Sequence, residues 1–343
     1  MITIFSDDHE QHSGLLEANG DVFVASPECP ERANEISRTI RESGIGEMRA
    51  PRAFEDRRIT AVHSPAYFRF LQQAWNDWQA EGRKGSNARP QAYAGGEMRE
   101  VEPRSIAGRL GRYAFDDSAP FVAGSWRAIR RSADIALTAA DIVRSEKQHV
   151  FALCRPPGHH ASRERAGGYC YLNNGAIAAQ FLRDAGAKKV AVLDIDYHHG
   201  NGTQSIFYQR NDVLTVSLHA DPSDEYPYFS GYEDEPGEGR GQGFNINFPL
   251  PLGTKWKAYE KALQDALART RGFAPDGLVV ALGLDTFADD PTTRFGLATE
   301  DYLAMGKTIS TMGLPVLTVL EGGYAVANIG RNALAFLKGI EAA

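Results

Sequence analysis

The chain has 343 residues, 43% of them hydrophobic and 24% charged, with a formal net charge of −7. That length is enough for one large or two ordinary domains with a core that needs no staples, and the acidic balance argues against a nucleic-acid partner, which calls for a basic face. Three cysteines (Cys29, Cys154 and Cys170) without Cys-x-x-Cys spacing argue against a disulfide scaffold or a zinc finger, no apolar run reaches the roughly 20 residues of a membrane span, and the short, then acidic, opening Met1–Asp8 does not read as a signal peptide, so a cytoplasmic location is expected.

Short β-branched runs alternate with longer helical stretches. Strands are expected at Ile2–Phe5, His149–Leu153, Lys189–Ile195, Val213–Leu218, Phe244–Phe248, Gly277–Leu282 and Pro315–Leu320. Most are continuous apolar runs, as strands buried on both faces are. Helices are expected at Ala123–Ser145, Asn173–Ala185, Lys255–Arg271 and Glu300–Thr311. This alternation predicts an α/β protein with a mainly parallel sheet. Two stretches have no core pattern. Gly82–Pro120 is rich in Gly, Arg, Pro and Glu, and a structureless connection of that length in a compact domain is either functional or a disordered surface loop. Gly231–Gly243, glycine-rich and acidic, reads as a surface loop.

Ligands of open parallel sheets bind beyond the carboxyl ends of the strands. Five of the expected strands deliver chemistry there: His159-His160, Asp194 to Asn201, His219, Asp285 and Tyr324. Asp196 and His198 lie two residues apart, and strand alternation would put them on one face with Asp194. With Asp285 from a second strand they make a two-Asp, one-His set that leaves positions open, as a catalytic metal requires. Zinc is the first choice, and iron(II) or manganese also suit an oxygen-rich set. His159 and His160 follow a Pro-Pro-Gly turn that fixes their direction, and histidine serves as general base or acid. Asp194 and Asn201 are expected to orient them. Tyr324, in a Gly-Gly-Tyr turn, could donate to an oxygen that gains negative charge.

Four ordered motifs carry a resemblance: Arg155-Pro-Pro-Gly-His-His160, Gly167-Gly-Tyr-Cys-Tyr-Leu-Asn-Asn174, Asp194-Ile-Asp-Tyr-His-His-Gly-Asn-Gly-Thr203 and Leu320-Glu-Gly-Gly-Tyr324. They resemble those of the histone deacetylase family, and in particular its acetylpolyamine amidohydrolase members. The likeness runs from Phe5 to the C-terminus. It implies a single domain of the arginase/deacetylase α/β fold, with a central sheet of eight mainly parallel strands. It implies removal of acetyl groups from acetylated polyamines or small diamines. Asp196, His198 and Asp285 would bind zinc, His160 would be general base and acid, His159 its electrostatic partner, and Tyr324 would polarise the amide carbonyl. Gly168, Tyr169 and Tyr226 would line a tunnel around the methylene chain. Structural potassium or sodium would sit at Asp194, Asp196, His198, Ser217 and Leu218, and again at Phe207, Arg210, Val213 and Phe244. Asn201 matches the class II-like and polyamine-type members. The 82–120 stretch resembles an inserted loop that shapes the entrance and a homodimer interface. The family's acidic positions on that loop fall at Ala107 and Ser118, a departure that leaves Asp116 and Asp117 as substitutes and puts the preferred amine length in doubt. The alternatives are a protein or peptide acetyl-lysine deacetylase of the same family, a two-manganese ureohydrolase of the related arginase fold, and a non-catalytic binding protein.

Overall fold

The computed structural model describes residues 1–96, 98–99 and 101–342. In chain order the strands are β1 (Ile2–Ile4), β2 (Leu16–Asn19), β3 (Val22–Ala25), β4 (Glu47–Arg49), β5 (Val150–Ala152), β6 (Val190–Asp194), β7 (Val213–Ala220), β8 (Asn245–Leu250), β9 (Gly277–Leu282) and β10 (Val316–Leu320). The helices are α1 (Pro30–Ser43), α2 (Arg57–Thr60), α3 (Pro65–Ala80), α4 (Ile106–Arg112), α5 (Ser125–Glu146), α6 (Asn174–Asp184), α7 (Asn201–Phe207), α8 (Trp256–Phe273), α9 (Thr299–Ser310) and α10 (Val326–Glu341). Among the described residues eight strands form one sheet in the order β4-β1-β5-β10-β9-β6-β7-β8, and every neighbouring pair is parallel. β2 and β3 form a separate antiparallel hairpin.

Strand alternation divides the core in two. Val190, Val192 and Val279 face the helices α3, α5 and α6, whereas Ala191, Leu193, Leu278 and Val280 face α1, α8, α9 and α10. Both faces of the sheet are thus covered, which is why its strands read as unbroken apolar runs. All seven expected strands and four expected helices are present, with ends shifted by a residue or two. Among the described residues no helix is long and apolar enough to cross a membrane.

The additions have physical explanations. β4 is a polar three-residue edge strand, too short to show a period. α1 is rich in Arg and Glu, but Ala33, Ile36 and Ile40 form a buried stripe. The 82–120 stretch is not structureless. It contains α4, it buries Ala88, Ile106, Leu110 and Tyr113 in the core, and it is bridged to Phe121 and Ala166. Its apolar residues are spaced too widely to show a period.

A fully buried ion network ties the chain's beginning to the sheet's carboxyl edge. Arg155 donates to both carboxylate oxygens of Glu28 at 2.9 and 3.0 Å, and to the carbonyls of His9 and His12 at 2.7 Å each. Arg32 donates to Glu28 at 2.9 Å, to the Glu321 carbonyl at 2.6 Å and to the Gly323 carbonyl. One carboxylate thus offsets two buried guanidinium groups, and removing it leaves uncompensated charge in the interior. Glu28→Ala should lower the unfolding free energy by about 3–5 kcal/mol, measured by denaturant titration.

Burial also holds His63 neutral, pushing it down to about 4. Below about pH 6.5 the unfolded chain takes a proton there that the folded chain refuses, so this residue makes stability fall as pH drops from about 6.5 to 4. His63→Gln should flatten that slope by about 1.4 kcal/mol per pH unit. Unfolding free energies compared at several pH values would check this.

Candidate active site and metal centre

Four central strands end side by side: β5, β10, β9 and β6. The loops beyond them converge on one point. β6 stops at Asp194, so strand alternation is not what gathers the next residues. The chain bends instead, with the Asp196 N–H donating to Asp194 Oδ1 at 3.1 Å and the His198 N–H to Asp196 Oδ1 at 2.9 Å. Asp285 joins from the loop after β9, where its Oδ1 accepts from the Tyr197 N–H at 3.0 Å. His198 Nδ1 then lies 3.4 Å from Asp196 Oδ1 and 3.3 Å from Asp285 Oδ2. One ligand atom from each of Asp196, His198 and Asp285 falls within 4.8 Å of the others.

The donor set fits a divalent cation. Asp285 Oδ2 is buried and accepts no hydrogen bond among the described residues, which is costly for a charged oxygen unless a cation meets it. Room is kept at the same point: a Cβ on Gly322 would come within 2.2 Å of Asp285 Oδ2 and 2.6 Å of Asp196 Oδ2. Burial works against a charged His198, but the adjacent Asp196 and Asp285 carboxylates outweigh it and lift the imidazole to about 10. Burial and the neighbouring Asp196 raise Asp285 to about 7. The site carries more negative charge than its own imidazole easily balances.

The histidine pair sits against this centre, ring centroids 4.0 Å apart. Glu321 shapes their turn, its Oε2 accepting the N–H groups of Gly158 at 2.6 Å and His159 at 3.0 Å. His159 Nδ1 lies 3.0 Å from Asp194 Oδ2. Burial disfavours its charge, yet Asp196 and Asp194 raise it to about 10. His160 goes the other way: burial and the nearby His159 and His198 hold it well below the usual range. Its Nδ1 lies 2.7 Å from the Asn201 carbonyl oxygen, an acceptor, so Nδ1 carries the proton and Nε2 keeps a free lone pair. One member of the pair is charged and the other is a neutral base.

Tyr324 closes the group from the loop after β10. Burial raises its phenol well above the usual range, and Arg32 lies 4.7 Å from its ring centroid. Gly168 lies over His160, where a Cβ would come within 2.2 Å of His160 Cδ2, and its φ of +53° also favours glycine. Tyr226 packs edge-on against His160 and His198, with centroids at 5.0 and 5.9 Å. A cavity of about 470 Å³ is lined by His160, Gly168, Tyr169, His198, Tyr226 and Tyr324, together with Glu17, Asp116, Asp117, Ser118, Glu225 and Thr292.

Family comparison fits this geometry. Residues 26–340 match the histone deacetylase domain. The chain belongs to the histone deacetylase family. Among its relatives, acetylpolyamine amidohydrolase 2 of Pseudomonas aeruginosa is 50% identical, with 99% of each chain covered. The acetylpolyamine amidohydrolase of Mycoplana ramosa is 42% identical over 99% of each chain. A crystal structure of acetylpolyamine aminohydrolase from Burkholderia pseudomallei superposes with a TM-score of 0.95 at 40% identity, covering 100% of this chain and 99% of that one.

Gly168, Tyr169 and Tyr226 share the cavity with Ser118, but Ala107 is buried in α4 and is not among its lining residues. Asp194 pairs with Ser217 in the β6–β7 register, next to Leu218. Phe207 ends α7 and its carbonyl accepts from the Arg210 N–H at 2.9 Å, Val213 opens β7, and the Phe244 carbonyl accepts from the Thr215 N–H at 3.0 Å. Sequence reasoning did not single out Glu17, Glu225, Asp290 or Glu321. Glu17 lies on the unexpected hairpin. Glu321 stands inside a quoted motif and Glu225 directly before the expected tunnel residue Tyr226, the one signal that could have found them.

The wild-type chain should retain a divalent ion through gel filtration, and Asp285→Ala should lose it with the fold intact by circular dichroism. Elemental analysis would check both.

Proposed function

We propose that this protein is a zinc-dependent amidohydrolase that removes acetyl groups from acetylated polyamines or small diamines, such as acetylputrescine, acetylcadaverine and acetylspermidine, to give acetate and the free amine. The observation that carries this is one cavity that joins His160, His198 and Tyr324 to four carboxylates, Glu17, Asp116, Asp117 and Glu225. The first set suits amide hydrolysis, and the second suits a cationic amine. The names of the relatives point the same way.

A zinc ion held by Asp196, His198 and Asp285 would supply Lewis acidity, and iron(II) or manganese would suit the same donors. The protein's own groups do the rest. His160 Nε2, with its lone pair free, takes a proton from the attacking water. His159 stays charged against Asp194 and stabilises negative charge beside it. The neutral Tyr324 hydroxyl donates to the carbonyl oxygen as charge develops there. His160 then passes its proton to the departing amine. Gly168, Tyr169 and Tyr226 grip the methylene chain. Asp116 is already saturated, accepting from Gly168, Tyr226 and Ser118. Glu17, Asp117 and Glu225 accept fewer hydrogen bonds than Asp116 and are the carboxylates left to meet the distal ammonium.

A structural potassium or sodium ion belongs beside Asp194, Asp196, His198, Ser217 and Leu218, and a second beside Phe207, Arg210, Val213 and Phe244. The 82–120 loop narrows the entrance and contributes to a homodimer interface. Exposed apolar side chains support the dimer, among them Met98 of that loop at 66% exposure, Phe23 at 61% and Phe229 at 92%.

His160→Ala and Tyr324→Phe should each lower kcat for acetylputrescine by roughly 100-fold or more. Full activity in either variant removes the role given to that residue. Glu17→Gln and Asp117→Asn should raise KM for acetylputrescine a few-fold, as lost exposed ion pairs do, and leave KM for an uncharged N-alkylacetamide unchanged.

A further inference from the structure

The loop that carries Tyr324 is held from outside. Glycines at 322 and 323 give it no side-chain anchors of its own, and α10 starts just beyond it. The first N–H groups of a helix lack partners within the helix and are usually capped by a polar side chain. Ala325, at the cap position of α10, has none to offer.

Asp290 meets the backbone just ahead of that helix from a different segment. Its Oδ2 accepts from the Tyr324 N–H at 2.6 Å and from the Ala325 N–H at 3.1 Å. Its Oδ1 accepts from the Thr292 N–H at 3.0 Å and the Thr292 hydroxyl at 2.8 Å. The side chain is thus fully engaged, and the residue is 6% exposed. Its own N–H donates to the Phe287 carbonyl at 3.1 Å, in the same loop after β9 that carries Asp285. A carboxylate is well suited here. It can accept several N–H bonds at once, and its charge complements the positive end of α10.

We propose that Asp290 is a positioning residue for Tyr324: its carboxylate fixes the backbone of the tyrosine and so sets where the phenolic hydroxyl stands in the cavity. The same side chain holds Thr292, another lining residue, on its second oxygen. The loop after β9 therefore contributes one end, Asp285, to the metal centre and its middle, Asp290, to the phenol. One short segment thus carries Asp285 and also holds the backbone of Tyr324, so Asp290 acts through the tyrosine and need not touch substrate. This inference rests on the catalytic part given to Tyr324 above.

A double-mutant cycle on the metal-loaded enzyme tests it, with kcat and KM for acetylputrescine measured in wild type, Asp290→Ala, Tyr324→Phe and the double variant. In the wild-type background Asp290→Ala should lower kcat on the order of ten- to a hundredfold, the cost of a misplaced catalytic group, with KM little changed. In the Tyr324→Phe background the same substitution should change the residual kcat by less than about twofold, since no hydroxyl remains to be placed. Asp290→Asn, which keeps one acceptor for the Tyr324 N–H, should fall between Ala and wild type. A general loosening of the fold would slow both backgrounds equally, and that result overturns the proposal, as does wild-type kcat in Asp290→Ala or a rate loss matched by loss of bound metal. If Asp290→Ala does not fold, the same cycle with Asp290→Asn decides by the same criterion. Full activity of Tyr324→Phe alone would instead sink the role of the tyrosine itself, a separate failure.

Discussion

Negative charge buried at the carboxyl edge of the sheet is the constraint on which this structure depends. Asp194, Asp196, Asp285 and Glu321 are all within 3% of full burial, at the ends of three adjacent strands. Bare carboxylates in an interior cost several kcal/mol each, so each must find a cation or a set of N–H donors. Glu321 finds the backbone of the His159 turn, and Asp194 finds His159 itself. Asp196 and Asp285 share His198, and Asp285 Oδ2 is left without a hydrogen bond. The unmet demand is concentrated where the three candidate metal donors meet. Charge balance and chemistry therefore point to the same atoms.

The rest of the molecule keeps this arrangement from relaxing. The two buried core layers fix the strands, and the strands fix where their loops begin. Arg155, Glu28 and Arg32 tie the segment before α1 to both the histidine turn and the tyrosine loop. The base and the phenol thus sit on loops that share one buried ion network. Opposite protonation of the adjacent histidines follows from their surroundings: Asp196 and Asp194 hold His159 charged, whereas burial beside His159 and His198 keeps His160 neutral.

Much of this was legible in the sequence, for a physical reason. Strands such as Val190–Asp194 and Gly277–Leu282 are buried on both faces, so composition alone marks them, and the parallel-sheet rule then says where to look for the site. Asp194, Asp196, His198, Asp285, His159, His160 and Tyr324 were all singled out that way, and the structure gathers them at one edge of the sheet. What escaped notice either lacks a period or acts through backbone. β4 and the β2–β3 hairpin are short and largely exposed, and so Glu17 was missed. Asp290 and Glu321 work by accepting main-chain N–H groups, which leaves no spacing signature. Alternation was the wrong reason for grouping Asp196 with His198, because the strand has ended by then and hydrogen bonds shape the bend.

The central claim is that this buried acid cluster, loaded with a divalent metal, hydrolyses the acetyl amides of slender amines. The most direct test is acetate release by zinc-reconstituted protein from acetylputrescine, acetylcadaverine, acetylspermidine and an acetyl-lysine peptide, side by side with the metal-stripped protein. Turnover of the free acetylamines well above the peptide, and none without metal, is the predicted result. Equal turnover without metal, or preference for the peptide, would contradict it.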